Sequence, residues 1–136
     1  MEKKLIVCRW NSDAFSNKEI AKEIKLDIKE RLKYLPHPFS GWRARPNQKL
    51  KTISINSLGL RSKEVNNDKE NCILLGGSVA WGFGASNNDK TICYQIEKIL
   101  EEKYDIKINV INLAEQMHSS QDELLTFIGW YDELKP

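Results

Sequence analysis

Cys72-Ile73-Leu74-Leu75-Gly76-Gly77-Ser78-Val79-Ala80-Trp81-Gly82-Phe83-Gly84-Ala85-Ser86 is the stretch that decides how this chain folds. Its four leading apolar residues suit a buried parallel strand. Two glycines follow at once, which lets the backbone turn sharply and approach a ligand closely. In parallel α/β sheets ligands gather at the carboxyl ends of the strands, so Ser78 would present its hydroxyl to that crevice. Backbone N–H groups beside it would be placed to meet a developing oxyanion. The loop fits neither the GxGxxG dinucleotide pattern nor the GK[ST] ending of a phosphate loop, which argues against a nucleotide-binding domain. On residue chemistry alone two readings stand: a nucleophile loop, or a plain glycine-rich turn with a solvated serine.

Downstream, Asp89 is a plausible N-cap for a helix over about residues 90–103, with Ile92, Ile96, Ile99 and Leu100 on its inner face. Ile106, Ile108, Val110 and Ile111 predict a second buried strand. Ser119 or Ser120 then caps a helix containing Leu124, Leu125, Ile128 and Trp130. Strand–helix–strand–helix at this spacing is the pattern of a parallel α/β sheet with crossover helices.

Upstream, Ile20, Ile24, Ile28, Leu32 and Leu35 form one apolar stripe and predict a helix over about residues 17–35. Ser16 and Glu19 have capping-box spacing, and Pro36 and Pro38 end the helix. Residues 5–10 read as a short strand. Residues 36–62 read as irregular, aromatic and basic, apart from an edge strand at Thr52–Asn56 and a turn at Asn56-Ser57-Leu58-Gly59. Residues 63–71 read as a surface loop. The composition shift near residue 70 separates an N-terminal helix and leader, 1–70, from a main domain that starts at 71 and runs to 136.

Composition narrows the classes. A chain of 136 residues with 40% hydrophobic and 29% charged residues can bury a core and is not disordered. Its net charge of +2 comes from interspersed signs, which gives no support to nucleic-acid or anionic-membrane binding. Cys8, Cys72 and Cys93 form no CxxC or Cys/His cluster, so no metal site is expected, and they read as reduced core cysteines. The run Leu5–Cys8 is too short for a signal-peptide core or a membrane span, so a cytoplasmic protein is expected.

Residues 73–86, followed by Asp89-Lys90-Thr91, closely resemble the first block of the SGNH (GDSL-like) hydrolases, many of which carry GGS in place of GDS. Val110-Ile111-Asn112-Leu113-Ala114 through Ser119-Ser120 is similar to the second block. His37-Pro38-Phe39-Ser40-Gly41-Trp42 and Ile55-Asn56-Ser57-Leu58-Gly59-Leu60-Arg61 resemble a leader found in one branch of the family. The resemblance covers about residues 36–136.

This resemblance implies a three-layer αβα, flavodoxin-like fold with a parallel sheet, truncated after the second strand–helix unit. It implies Ser78 as the nucleophile, with its own N–H and that of Ala114 as oxyanion donors. Ala114 stands where the family has glycine; an N–H survives that change, though a Cβ would be strained if the backbone needed positive φ. Gly77, Trp81, Phe83, Asn112 and His118 are the substrate-lining candidates. The family's asparagine block and its Asp/His block fall after the point where this chain ends, so no family-placed base is expected. His118 is either a substitute base or a polar rim residue; His37 reads as a turn residue. Asp89 and Asp122 read as helix-start residues, and Arg43, Arg45 and Arg61 as solvated arginines or anion ligands. The implied reaction is cleavage of a small-molecule or carbohydrate ester through an acyl-enzyme, with no metal or organic cofactor. The rival reading is a non-catalytic interaction module, with self-association through an exposed sheet edge.

Overall fold

The computed structural model describes residues 17–136. The strand expected at 5–10, the Ser16 cap and Cys8 lie outside the described residues. The described chain is mixed α/β, with four α-helices and two small sheets, one antiparallel and one parallel.

Helix α1 (Lys18–Leu26) is capped by Asn17, whose side chain accepts hydrogen bonds from the N–H groups of Glu19 and Ile20. It does not run on to residue 35. At Asp27–Arg31 the helix widens into a π-turn, closed by Leu32 N–H donating to Asp27 O at 2.7 Å. The cause is visible at Asp27, which is fully buried. Its carboxylate accepts from Thr52 N–H (2.7 Å), Thr52 Oγ1 (2.8 Å) and Arg31 Nη1 (2.9 Å). Burial pushes this carboxyl up, but the hydrogen bonds from Thr52 and Arg31 win and hold it below its ordinary value.

Residues expected to be irregular form a hairpin instead. Strand β1 (Tyr34–His37) pairs antiparallel with β2 (Gly41–Ala44) in the register Tyr34↔Ala44 to His37↔Gly41. Pro36 lacks a donor, which a two-stranded sheet tolerates because one side of each strand is unpaired. Residues 52–56 contribute one isolated bridge, Lys49↔Ser54, and no strand, although Ile53 and Ile55 are buried as the alternation suggested.

Strand β3 (Asn71–Leu74) pairs parallel with β4 (Asn109–Asn112). The first residues assigned to β4 from sequence, Ile106 and Ile108, precede the strand. Between the two strands lie α2 (Ser78–Trp81), a 3₁₀ turn (Asn88–Lys90) and α3 (Ile92–Tyr104). The N-cap of α3 is Thr91, not Asp89, which belongs to the turn. The inner face of α3 is rotated from the expected one: Cys93 and Glu97 are buried and Ile99 is exposed. Three polar contacts, made by these two buried side chains, fix that rotation. Cys93 Sγ donates to Val110 O at 2.7 Å, and Glu97 accepts from Lys63 Nζ at 2.6 Å and from Val110 N–H at 3.3 Å. Burial pushes the Cys93 thiol up to about 12, so it is an inert core thiol. Cys72 is exposed on β3 and is not a core cysteine.

Helix α4 (Ser120–Leu134) starts with a capping box in which Ser119 and Asp122 satisfy each other's N–H groups. Trp130 and Leu134 pack with Ile111, Leu113 and Leu60. A second cluster joins Leu32, Ala44, Ile53, Ile55, Trp81 and Ala114. Both clusters draw on residues from either side of position 70, so the composition shift there marks a surface loop within shared packing. Phe39 at the hairpin tip lies against Gly129 of α4; a Cβ there would stand 2.5 Å from the Phe39 ring.

Arg61, read from sequence as a solvated or ligand-binding arginine, is only 2% exposed. Its Nε donates to Asn88 Oδ1 (3.0 Å), Nη1 to Gly82 O (2.8 Å) and Nη2 to Thr52 O (3.0 Å). Its guanidinium lies 4.7 Å from the centre of the Trp81 ring. Arg61→Met should remove these bonds, leave carbonyl groups short of a donor, and cost about 3–5 kcal/mol. Arg61→Lys should recover less than half of that, because an ammonium cannot reach three acceptors in one plane. Urea denaturation followed by tryptophan fluorescence measures both; an unchanged midpoint in Arg61→Met would contradict this role.

Candidate active site

Ser78 is the first residue of α2, at the carboxyl end of β3. Gly76 makes the approach possible: a Cβ there would stand 2.6 Å from the Cβ of Ala80. The turn ends at Gly82, at φ 97°, a conformation that favours glycine. Phe83 N–H donates to Ser78 O at 2.8 Å and Gly82 N–H to Val79 O at 3.1 Å, so the turn closes on itself. The first amides of such a turn have no intrahelical acceptor. Ser78 is half-buried, and its hydroxyl makes no hydrogen bond among the described residues.

The loop is held from below by Asn112. Its Nδ2 donates to Ala80 O (3.1 Å) and Trp81 O (3.4 Å), and its Oδ1 accepts from Ala114 N–H (3.1 Å). Asn112 and Trp81 are each 1% exposed. These two expected lining residues are therefore supports beneath the turn. An aromatic beside a glycine loop can point up or down, and here the buried Arg61 draws Trp81 down. The Ala114 N–H is occupied by Asn112, and Ala114 is not among the residues with positive φ, so its Cβ brings no strain there.

Gly77 lies below the chain at His118: a Cβ built on it would meet His118 O at 3.6 Å, an ordinary contact. The His118 ring turns toward the hairpin. Its Nε2 faces Ser40 O at 3.2 Å, and since a carbonyl only accepts, Nε2 carries the proton. Its Nδ1 is buried without a partner. The ring packs against Trp42 at 5.8 Å between centroids. Ser40 also engages His37, its N–H donating to Nδ1 at 3.2 Å, while His37 stacks on Trp130. Both histidines thus serve the hairpin tip, and neither is hydrogen-bonded to Ser78. Phe83, 48% exposed, is the most exposed of the lining candidates.

Glu115 is not among the site candidates read from the sequence. It is buried, and its N–H donates to Gly76 O at 3.1 Å, extending the β3–β4 pairing to within two residues of Ser78. Its carboxylate accepts from Gln116 N–H at 3.1 Å. Burial pushes its carboxyl up to about 7, against that one hydrogen bond. The neighbouring Gln116 Nε2 donates to Tyr34 Oη at 3.1 Å, which ties β1 to the same strand end. The sequence signal was the charge itself, standing directly after an apolar strand.

Among the described residues no group of His, Cys, Asp and Glu could hold a metal ion, and no helix is long and apolar enough to cross a membrane. The chain matches no protein-family model and no curated protein.

The raised Glu115 carboxyl has a signed consequence. Between its ordinary value of 4.5 and about 7 the folded chain holds a proton that the unfolded chain releases. Stability therefore falls as pH rises through that window, by about 3 kcal/mol, and levels off above it. Glu115→Gln should abolish that fall and be the more stable chain at pH 8. Urea midpoints at pH 5 and pH 8 decide it; the same slope in both chains would refute the assignment.

Proposed function

We propose that this chain carries the nucleophile end of an SGNH-like serine ester hydrolase, and that its β3–α3–β4–α4 run opens a three-layer αβα parallel sheet. The observation that supports this best is the place of Ser78: a hydroxyl without a partner, heading a glycine-closed turn at the carboxyl end of a parallel strand. The resemblance of residues 73–86 to the family's first block supports it independently. Ser78 Oγ attacks an ester carbonyl, its proton passes to a base, the alcohol leaves, and water releases the acyl group. The substrates are small or carbohydrate esters, acetyl esters foremost. No cofactor enters this chemistry. The free thiols of Cys72 and Cys93 fit a reducing, cytoplasmic setting.

Neither histidine bonds to Ser78, so this chain by itself should be a weak nucleophile. A fluorophosphonate probe should label it slowly, and Ser78→Ala should remove that labelling. Labelling that Ser78→Ala leaves unchanged would sink the assignment.

A second reading, an interaction module, is favoured by one surface. No strand pairs with the outer side of β3 among the described residues, and α4 exposes Leu124, Leu125, Ile128 and Tyr131. A helix apolar on two faces and an open strand edge both favour pairing with another chain. Light scattering at micromolar concentration should show self-association, reversed by Leu124→Lys with Ile128→Lys. A monodisperse unsubstituted chain would count against it.

A further inference from the structure

A groove of about 330 Å³ lies where α1 passes the far end of the serine loop. Ala21, Ile24 and Lys25 of α1, Ile28 and Lys29 of the π-turn, and Phe83 and Gly84 of the loop line it. The space exists because Ala21 and Gly84 are small. Residues 21 to 29 span about 12 Å of helix, which makes the groove a slot rather than a bowl. Its volume is at the lower end of the ~300–1,000 Å³ usual for small-molecule sites. That suits one alkyl chain and not two.

Charge supplies the second half of the reading. Lys25 lies in α1 and Lys29 in the π-turn that follows it, and both line the groove. Two of the three carboxylates nearest in sequence are engaged elsewhere, and the third, Glu30, pairs with neither lysine. Glu23 pairs with Arg31 and Lys51, and Asp27 with Arg31 and Thr52. Neither lysine has a carboxylate partner among the described residues. Lysine stems lie along apolar surface while their ammonium groups stay at the rim. An apolar slot flanked by two uncompensated cations is complementary to an alkyl chain that ends in an anion.

We propose that this groove binds a single-chain fatty carboxylate, its alkyl chain against Ile24, Ile28 and Phe83 and its carboxylate between Lys25 and Lys29. The site does not depend on Ser78 chemistry, so it can be tested in the Ser78→Ala chain as well as in the unsubstituted one. Lys25, Lys29 and Phe83 are exposed, so substituting them leaves the core intact.

Isothermal titration of the full chain with dodecanoate, kept monomeric, should give saturable binding of one molecule per chain. Lys25→Glu with Lys29→Glu should weaken it at least tenfold, and Ala21→Trp, which fills the slot, should abolish it. Dodecyltrimethylammonium, with the same chain and the opposite charge, should bind at least tenfold more weakly than dodecanoate. Absence of saturable dodecanoate binding, equal binding of the two amphiphiles, or binding indifferent to both variants would overturn the proposal. So would sedimentation with anionic phospholipid vesicles without binding of monomeric dodecanoate, which would make the face a membrane contact. A dimer dissolved by Ala21→Trp would assign the groove to a second copy and overturn it equally.

Discussion

A buried guanidinium with no carboxylate beside it holds this molecule together. Arg61 is bonded to a side-chain amide and two backbone carbonyls, and burial lowers its pKa to about 10. Interior charges are costly unless every donor is used, and a planar guanidinium can use several at fixed angles. Each acceptor belongs to a different segment. Thr52 follows the hairpin and itself holds Asp27 of the first helix; Gly82 closes the serine turn; Asn88 begins the turn into α3. Asp27, Thr52, Arg61 and Gly82 thus form one polar chain from the N-terminal helix to the loop that carries Ser78. The leader is therefore a structural part of the candidate site, and the position of the serine depends on residues about fifty positions earlier.

Part of this was legible in the sequence. An unbroken apolar run located β3, Val110 and Ile111 located β4, the glycine pair located the serine turn, and the Ser119–Ser120 pair located the start of α4, because each signal is local. The hairpin was not legible: Pro36 and Pro38 read as breakers, and only pairing with Gly41–Ala44 makes a strand of Tyr34–His37. The length of α1 was overestimated because its apolar stripe continues past Asp27, where bonds to Thr52 widen the helix. The rotation of α3 follows from Glu97, a charged residue that apolar periodicity assigns to solvent. At the site, the place of Ser78 could be read, but the direction in which Trp81 and Asn112 point could not. That direction is set by Arg61 and by backbone carbonyls distant in sequence.

The strand end next to Ser78 is already satisfied internally. Ala114 N–H, which the family resemblance would make a donor to an oxyanion, is held by the Asn112 side chain. An oxyanion there would compete with a neutral amide oxygen, and a charged acceptor forms the stronger bond. The same Asn112 fixes the turn from beneath through Ala80 and Trp81, so giving up the Ala114 bond would leave that support in place.

The two sides of the parallel pair are unequal. Along the side of β4 away from β3, the N–H groups of Val110, Asn112 and Ala114 are taken in turn by Glu97, Ser62 and Asn112 side chains. Side chains thereby occupy the row of donors that an incoming strand would read. The opposite margin, along β3, has no such cover among the described residues. Among the described residues the pair thus has one margin capped by the chain's own side chains and one left open, an asymmetry built from Glu97, Ser62 and Asn112.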